Sequence, residues 1–176
     1  MKTAILRWEL WGILFITVLG AVLHFAFEWT GEWKPLGAIA AVNESVWEHF
    51  KIGFWPTVAY AIAEYGYFRR HTPNFFFTKA VGIYAIPVTI AVLFYGYTLT
   101  TGLESLVLDI IIFIIAVAVC QMVSYKLLIM PPHPSWLNAL GVVLIIVLAL
   151  AFIVFTYVPP HLPLFQDGVT GGYGIL

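Results

Sequence analysis

Charged residues are scarce in this sequence. Eight lysines and arginines and nine aspartates and glutamates stand among 176 residues, a charged share of 10%, whereas soluble domains carry about a quarter. The chain is 62% hydrophobic and its mean hydropathy is +0.96. A chain this apolar does not have the composition of a soluble domain and is expected to be an integral membrane protein.

Basic clusters and cysteine pairs are also missing. The net charge is −1, and no segment gathers the lysines and arginines that neutralise a nucleic-acid backbone, so nucleic acid is excluded as a partner. The single cysteine, Cys120, excludes an internal disulfide and any zinc or iron–sulfur site built from several cysteines. The first apolar stretch is too long for the hydrophobic part of a signal peptide and lacks an A-x-A-like site after it, which predicts a retained span.

Long apolar runs are what the sequence has instead. A bilayer core about 30 Å thick needs roughly 20 apolar residues in a helix, because backbone groups find no water there. No soluble domain fits between the runs, so residues 1–176 are expected to form a single all-α domain, a polytopic membrane helix bundle with residues 159–176 as a tail on its outer face. The five predicted transmembrane helices are approximately 4–29, 44–67, 79–99, 103–129 and 136–158.

The distribution of basic residues predicts the orientation. Cytoplasmic flanks carry the excess of lysine and arginine, and six of the eight fall on the side of the N-terminus. These are Lys2 and Arg7 before or at the start of the first helix, Arg69, Arg70 and Lys79 between the second and third helices, and Lys126 at the end of the fourth. Only Lys34 and Lys51 fall on the other side. The N-terminus is therefore expected inside and the C-terminus outside. The segment 36–42 is too short to span and is expected to form an interfacial or re-entrant turn at the outer boundary.

The stretch AVNESVWEHFK, residues 41–51, concentrates polar groups in an otherwise apolar chain. Helix-start chemistry explains part of it, since Asn43 is a good N-cap and Ser45 with Glu48 three residues later matches a capping box. Acidic residues in a first turn are also favoured by the helix dipole. Capping does not explain His49, so a functional role stays open beside the capping role.

Two more stretches bring histidine to the same side of the membrane. His24 and Glu28 are four residues apart near the outer end of the first helix and project from one face. An ionisable group at such depth is costly without partners, which makes His24 a functional candidate; the alternative is a neutral histidine bonded to a neighbouring helix. The tail PPHLPLFQDGVTGGYGIL adds His161 and Asp167, and either folds back over the helix ends or is a frayed terminus.

Three imidazoles with a carboxylate nearby are the donor set of a catalytic zinc site, which has three protein ligands and an open position for water. No H-E-x-x-H motif is present, so this prediction depends on topology alone. The predicted ligands of a divalent metal, zinc first, are His24, His49, His161 and Asp167. The predicted catalytic carboxylates are Glu28, Glu44 and Asp109. The residues expected to support them, some as hydrogen-bond donors to an oxyanion, are Asn43, Ser45, Glu48 and Tyr173.

Three classes of function fit these residues. The first is a metal-dependent hydrolase at the extracytoplasmic face, acting on a lipid-like or amphipathic substrate from the outer leaflet. The second is a cation or proton-coupled transporter or channel, in which Asp109 and Glu64 relay the ion; in a simpler interpretation Glu64 snorkels or pairs with Arg69 or Arg70. The third is a non-catalytic subunit that docks on another membrane protein. Membrane lipids are expected partners in all three, and a homo-oligomer is compatible with each.

Three stretches of the chain resemble a family of small prokaryotic multi-pass membrane proteins whose function is uncharacterised. They are HFAFEWTGEW, AVNESVWEHFK and PPHLPLFQDGVTGGYGI, and VNESVWEH is the most specific element among them. The resemblance covers nearly the whole chain. It implies the plasma membrane of a prokaryote as the location and a site formed jointly by the three stretches, but it implies no reaction or substrate.

Overall fold

The computed structural model describes residues 1–175 and folds them into five α-helices joined by short connections. The helices are α1 (Lys2–Trp29), α2 (Val46–Phe68), α3 (Phe75–Thr101), α4 (Leu106–Leu128) and α5 (Trp136–Tyr157). Short 3-10 helices lie at Lys34–Ala38, which overlaps the segment 36–42 expected to turn at the boundary, and at Pro163–Phe165 in the tail. The prediction of an all-α fold is confirmed, whereas the direction in which the helices cross a membrane stays a prediction.

Four of the five helices, α1, α3, α4 and α5, are long and apolar enough to cross a membrane. This indicates a multi-pass integral membrane protein. The fifth, α2, differs because it carries Glu48, Lys51 and Glu64, and it also has the most buried residues of any helix. A charged side chain is costly in lipid but tolerable when it faces other helices, so the charge of α2 fits its position inside the bundle.

The helices pack as a four-membered ring with one helix outside it. α1 contacts α2, α2 contacts α3, α3 contacts α4 and α4 returns to α1, while α5 lies mainly against α3. We call the end of the bundle that contains residues 30–45, 102–105 and 158–175 the tail end. An aromatic cluster attaches the tail to the helices at this end. The ring centroid of Phe165 lies 4.8 Å from that of Trp47, and the ring centroid of Trp47 lies 4.7 Å from that of Phe152 in α5.

A buried ion pair fixes the segment between α1 and α2 at the tail end. Lys51 Nζ lies 2.5 Å from Glu48 Oε2, and both side chains are buried. Lys51 also donates to the carbonyl of Gly37 at 2.6 Å and to the hydroxyl of Thr156 in α5 at 2.8 Å. Glu48 accepts from the backbone amide of Val42 at 3.1 Å. Breaking such a pair leaves a buried charge unmatched, so this network holds residues 37–42 firmly to α2 and α5.

The structure corrects two sequence predictions at the opposite end of the bundle. α3 begins at Phe75, directly after Pro73 and Asn74, so Lys79 is a buried residue of its second turn and not part of a connecting loop. The pairing of Glu64 with Arg69 or Arg70 is wrong, because Glu64 Oε2 lies 2.5 Å from Lys79 Nζ. Burial explains both corrections, since a carboxylate inside the bundle needs a partner that is also inside.

The contact between α3 and α5 generates a prediction about stability. A Cβ atom at Gly141 would lie 2.5 Å from the carbonyl oxygen of Phe76 and 2.6 Å from the amide nitrogen of Phe77. Gly141→Ala should therefore push α5 from α3 and lower the free energy of unfolding by about 1–3 kcal/mol. Unfolding in mixed micelles, followed by circular dichroism as denaturing detergent is added, measures the change.

The matched control is Gly96→Ala, which makes the same change in α3 at a position where a Cβ meets nothing within 4 Å. Its effect should be neutral or slightly stabilising, because alanine favours a helix over glycine. Equal losses in the two variants would contradict the close approach of α5 to α3.

Candidate functional site

Two histidines and one glutamate converge at the tail end. His24 lies near the end of α1, Glu44 in the loop before α2, and His49 in the first turn of α2. The Nε2 atoms of His24 and His49 lie 3.4 and 3.7 Å from the same oxygen, Glu44 Oε2. One donor atom from each residue lies within 4.8 Å of the other two, the only such group of three within residues 1–175. Two of the three histidines that were predicted to meet therefore do so, together with Glu44.

The start of α2 determines that His49 carries a proton on Nδ1. Ser45 is the N-cap, and its hydroxyl accepts from the amide of Glu48 at 3.4 Å. Its carbonyl lies 2.9 Å from His49 Nδ1. A carbonyl can only accept a hydrogen bond, so Nδ1 carries a proton and Nε2 is the ring nitrogen left for Glu44, whose Oε2 lies 3.7 Å away.

The tail holds Glu44 in place through backbone hydrogen bonds. Asp167 Oδ1 accepts from the amide of Glu44 at 3.2 Å, and Asn43 Nδ2 donates to the carbonyl of Gly174 at 2.9 Å. Asn43 Oδ1 accepts in turn from the amide of Ser45 at 3.0 Å. The tail therefore folds back over the start of α2 and fixes the loop from which the carboxylate of Glu44 projects.

Both acidic groups at this contact stay ionised. His24, through its hydrogen bond, has the largest effect on Glu44 and lowers its pKa; burial opposes this, and the charges of His24 and His49 support it. The net result is a pKa of Glu44 below its ordinary value. For Asp167 burial has the largest effect and raises the pKa, but hydrogen bonds from Thr170, Val169 and Glu44 together lower it below the ordinary value.

A cavity of about 870 Å³ opens beside the three converging side chains. It lies between α1, α2, α3 and α4 and is bounded by the tail, and its size is within the range of about 300–1,000 Å³ that ligand pockets have. Its polar wall consists of His24, Glu44, His49, Glu104, Asp109, Gln166 and Asp167. Its apolar wall includes Phe25, Val46, Ile90, Phe94, Leu106, Ile112 and Phe113.

Two of the three separations between donor atoms are close to those around a tetrahedral metal ion, and the third, between His24 and His49, is at most 4.8 Å. Zinc bonds to nitrogen and oxygen of about 2.0–2.2 Å place neighbouring ligand atoms about 3.4 Å apart. The distances from Glu44 to His24 and His49 are 3.4 and 3.7 Å, so small rotations of the rings would be enough. Two histidines and a glutamate are also one of the ligand sets of catalytic zinc.

The structure leaves three predicted residues outside this group. Glu28, expected on the same helix face as His24, is exposed and does not line the cavity. His161 is exposed in the tail, and its ring packs on Tyr173 at 4.6 Å between centroids. Tyr173, which was expected to donate to an oxyanion, does not line the cavity.

The remaining predicted residues lie around the group in other roles. Both carboxylate oxygens of Asp167, a predicted ligand, accept hydrogen bonds from residues 44, 169 and 170. Glu48 is used by the ion pair with Lys51 and does not complete a capping box. Asp109 lies in the cavity wall and accepts from the hydroxyl of Tyr97 at 2.7 Å. The sequence analysis did not predict that Tyr97 contacts Asp109. The two residues are twelve positions apart on either side of the turn between α3 and α4, and this spacing could have indicated the contact.

A family model described as a family of unknown function, DUF6512, matches residues 1–175. No curated protein and no solved structure matches the chain. The family has no assigned activity.

The hydrogen bonds of Asp167 predict how the tail responds to mutation. Asp167→Asn preserves the shape of the side chain but removes its charge and one acceptor, so the tail should loosen from the start of α2. Hydrogen bonds to a charged group contribute about 1.5–3 kcal/mol each. Hydrogen exchange measured by mass spectrometry should show faster exchange in the peptides that contain Glu44 and Thr170.

Acid should abolish the difference between wild type and Asp167→Asn. Because the folded-state pKa of Asp167 is lowered, its contribution is present above the ordinary aspartate pKa of about 3.9 and is lost as the pH falls through the lowered value. The control is Glu28→Gln, which removes an exposed carboxylate. Unchanged exchange at Glu44 in Asp167→Asn would contradict the anchoring role.

Proposed function

The chain belongs to the family of unknown function DUF6512, and we propose that it is a membrane hydrolase with a divalent metal ion, zinc first, held by His24, Glu44 and His49. The substrate class is an amphipathic, lipid-like ester or amide. The observation that carries the proposal is the convergence of two imidazole nitrogens on one carboxylate oxygen beside a cavity.

The electrostatics of the group favour a bound cation. His49 Nδ1 lies against the carbonyl of Ser45, which leaves its Nε2, 3.7 Å from Glu44 Oε2, as the ring atom that can bind a cation. His24 contributes its Nε2 from α1, and its Nδ1 is buried without a hydrogen-bond partner. A cation between these atoms would be held by two imidazole nitrogens and one carboxylate oxygen. Three protein ligands leave a fourth position for water, which is the arrangement of a catalytic zinc site.

The cavity favours an amphipathic substrate. One wall carries the histidines and carboxylates, while the other is built from aliphatic and aromatic side chains of α1, α3 and α4. Phe25 and Leu106 line the cavity and are also exposed on the surface of the helices, at 47% and 73%. In a membrane these two residues face lipid, so a molecule can enter from the bilayer with its apolar part in the apolar wall and its polar part at the metal.

Hydrolysis at such a site needs a polarised water and a group that moves its proton. A zinc ion lowers the pKa of its bound water and polarises a carbonyl. The water oxygen adds to the acyl carbon, the bond to the leaving oxygen or nitrogen breaks, and the water proton passes to the leaving group. Asp109 is the proposed carrier of that proton, since it lies in the same cavity wall and Tyr97 occupies only its Oδ1.

Metal content is the first test. Protein purified without a nickel column and given zinc in equimolar amounts should retain one ion per chain after buffer exchange. His24→Ala, His49→Ala and Glu44→Gln should each lower the affinity by more than the roughly 10- to 100-fold that loss of a residue supporting a ligand costs. Cobalt substitution should give the absorption spectrum of a tetrahedral ion.

Two other histidines provide the matched controls. His71→Ala changes an exposed histidine in the connection after α2, and His161→Ala changes the exposed tail histidine. Both should retain the metal. Wild-type protein that retains far less than one ion per chain would contradict the proposal, and loss of metal in His161→Ala would restore the tail histidine as a ligand.

Activity is the second test, with fluorogenic esters and amides of increasing acyl length as substrates for zinc-loaded protein in lipid nanodiscs. Asp109→Asn should keep the metal and lower kcat by about 10²- to 10⁴-fold, the usual contribution of a positioned general base. Glu44→Gln should lose both metal and activity. A metal-loaded wild type that hydrolyses no member of the series would contradict the enzymatic part while leaving the metal site intact.

A further inference from the structure

A second group of charged side chains lies inside the bundle, in the half opposite the candidate metal site. Glu9 of α1, Glu64 of α2 and Lys79 of α3 meet there, and their exposed fractions are 0%, 1% and 2%. Lys79 Nζ lies 2.8 Å from Glu9 Oε1 and 2.5 Å from Glu64 Oε2. One ammonium group therefore forms ion pairs with two carboxylates, and both carboxylates are shielded from water and lipid.

The uncharged neighbours donate a side-chain hydrogen bond to only one of the four carboxylate oxygens in this group. Ser124 Oγ of α4 donates to Glu9 Oε1 at 2.7 Å. Gln121 is directed to the backbone carbonyl of Glu9 at 3.3 Å, and Tyr60 donates to the backbone carbonyl of Trp8 at 2.6 Å. Three carboxylate oxygens of the group, Glu9 Oε2 and both oxygens of Glu64, are buried with no hydrogen-bond partner, although Glu64 Oε2 contacts Lys79 Nζ in the ion pair.

No second cation faces the group from the helices around it. The other basic residues on this half of the bundle, Lys2, Arg7, Arg69, Arg70 and Lys126, are exposed. From α4 the group meets Cys120, Gln121 and Ser124, and the sequence of α5 contains no charged residue. Two carboxylates and one ammonium leave a net charge of −1 in an apolar interior, where an unpaired ion is strongly disfavoured.

We propose that Glu9 and Glu64 form a proton-binding site, in which the pair holds one proton at neutral pH and Lys79 stays charged. The proton converts one carboxylate into a carboxylic acid, and the other keeps the ion pair with Lys79, so the group is neutral. The acid gains an O–H donor, and the free oxygen of the other carboxylate is an acceptor within the same group. This assignment gives a role to Glu9 Oε2 and Glu64 Oε1, the two carboxylate oxygens that contact neither Lys79 nor a hydrogen-bond donor.

The position of this site links proton binding to the packing of the bundle. Its members come from α1, α2 and α3, with Ser124 of α4 completing it. Any movement that separates Lys79 from the carboxylates changes the charge balance and hence the number of bound protons. The proton-binding site and the proposed metal centre have no residue in common, so the first does not depend on the second.

Infrared spectroscopy of the protein in lipid at neutral pH tests the proposal directly. A protonated carboxylic acid has a carbonyl stretch well separated from the carboxylate bands, and it shifts in D2O. Wild-type protein should show this band. Glu64→Gln and Glu9→Gln should each abolish it, because the remaining carboxylate is then neutralised by Lys79. The control Glu28→Gln should retain it, since that carboxylate is exposed.

Labelling wild-type protein with ¹³C-glutamate keeps the test decisive if a variant fails to fold. The band should shift on labelling, which assigns it to glutamate and not to aspartate. Absence of the band in wild type, or its persistence in both variants, would overturn the proposal. A bound sodium ion would instead give no band and a stability that depends on sodium over potassium, and that result would also overturn it.

Discussion

Each charge buried in this bundle has to be matched inside the protein, because lipid offers neither water nor hydrogen bonds to replace a missing partner. The consequences are concentrated in α2. Its first turns carry the Glu48–Lys51 pair, which binds the backbone of residues 37–42 and Thr156 of α5. Its far end carries Glu64, matched by Lys79. The helix least suited to lipid by composition is thus the one with the most buried residues.

The same constraint shapes the tail end of the molecule. Once residues 37–42 are fixed by the Glu48–Lys51 pair, the loop that follows has little freedom, and Asn43 and Asp167 complete its attachment to the tail. Glu44 is then directed at two imidazoles. The two groups differ in composition. The group at the opposite end has two carboxylates and one ammonium, whereas this one has two imidazoles and one carboxylate.

The helices and the meeting of His24 with His49 were predictable from the sequence. Apolar runs of this length leave a membrane chain few options other than helices, and alternating helix directions bring the end of α1 to the start of α2. The tail was harder, because an 18-residue segment rich in proline and glycine has no periodicity to show where a side chain points. Hence Asp167 was placed near the site correctly but its role as a backbone acceptor was not seen, and His161 packs on Tyr173 instead. Lys79 was predicted in a connection because a lysine next to a turn-rich segment is usually exposed to solvent. The sequence does not show that Glu9 and Glu64 are near it in the folded chain.

The central claim is that His24, Glu44 and His49 bind one metal ion, and anomalous X-ray scattering at the zinc edge tests it most directly. Crystals of protein purified without metal-affinity resin and loaded with zinc should show one strong peak, about 2 Å from the Nε2 atoms of both histidines and from Glu44 Oε2. A map with no peak there, or with a peak only at exposed histidines such as His71, would contradict the account.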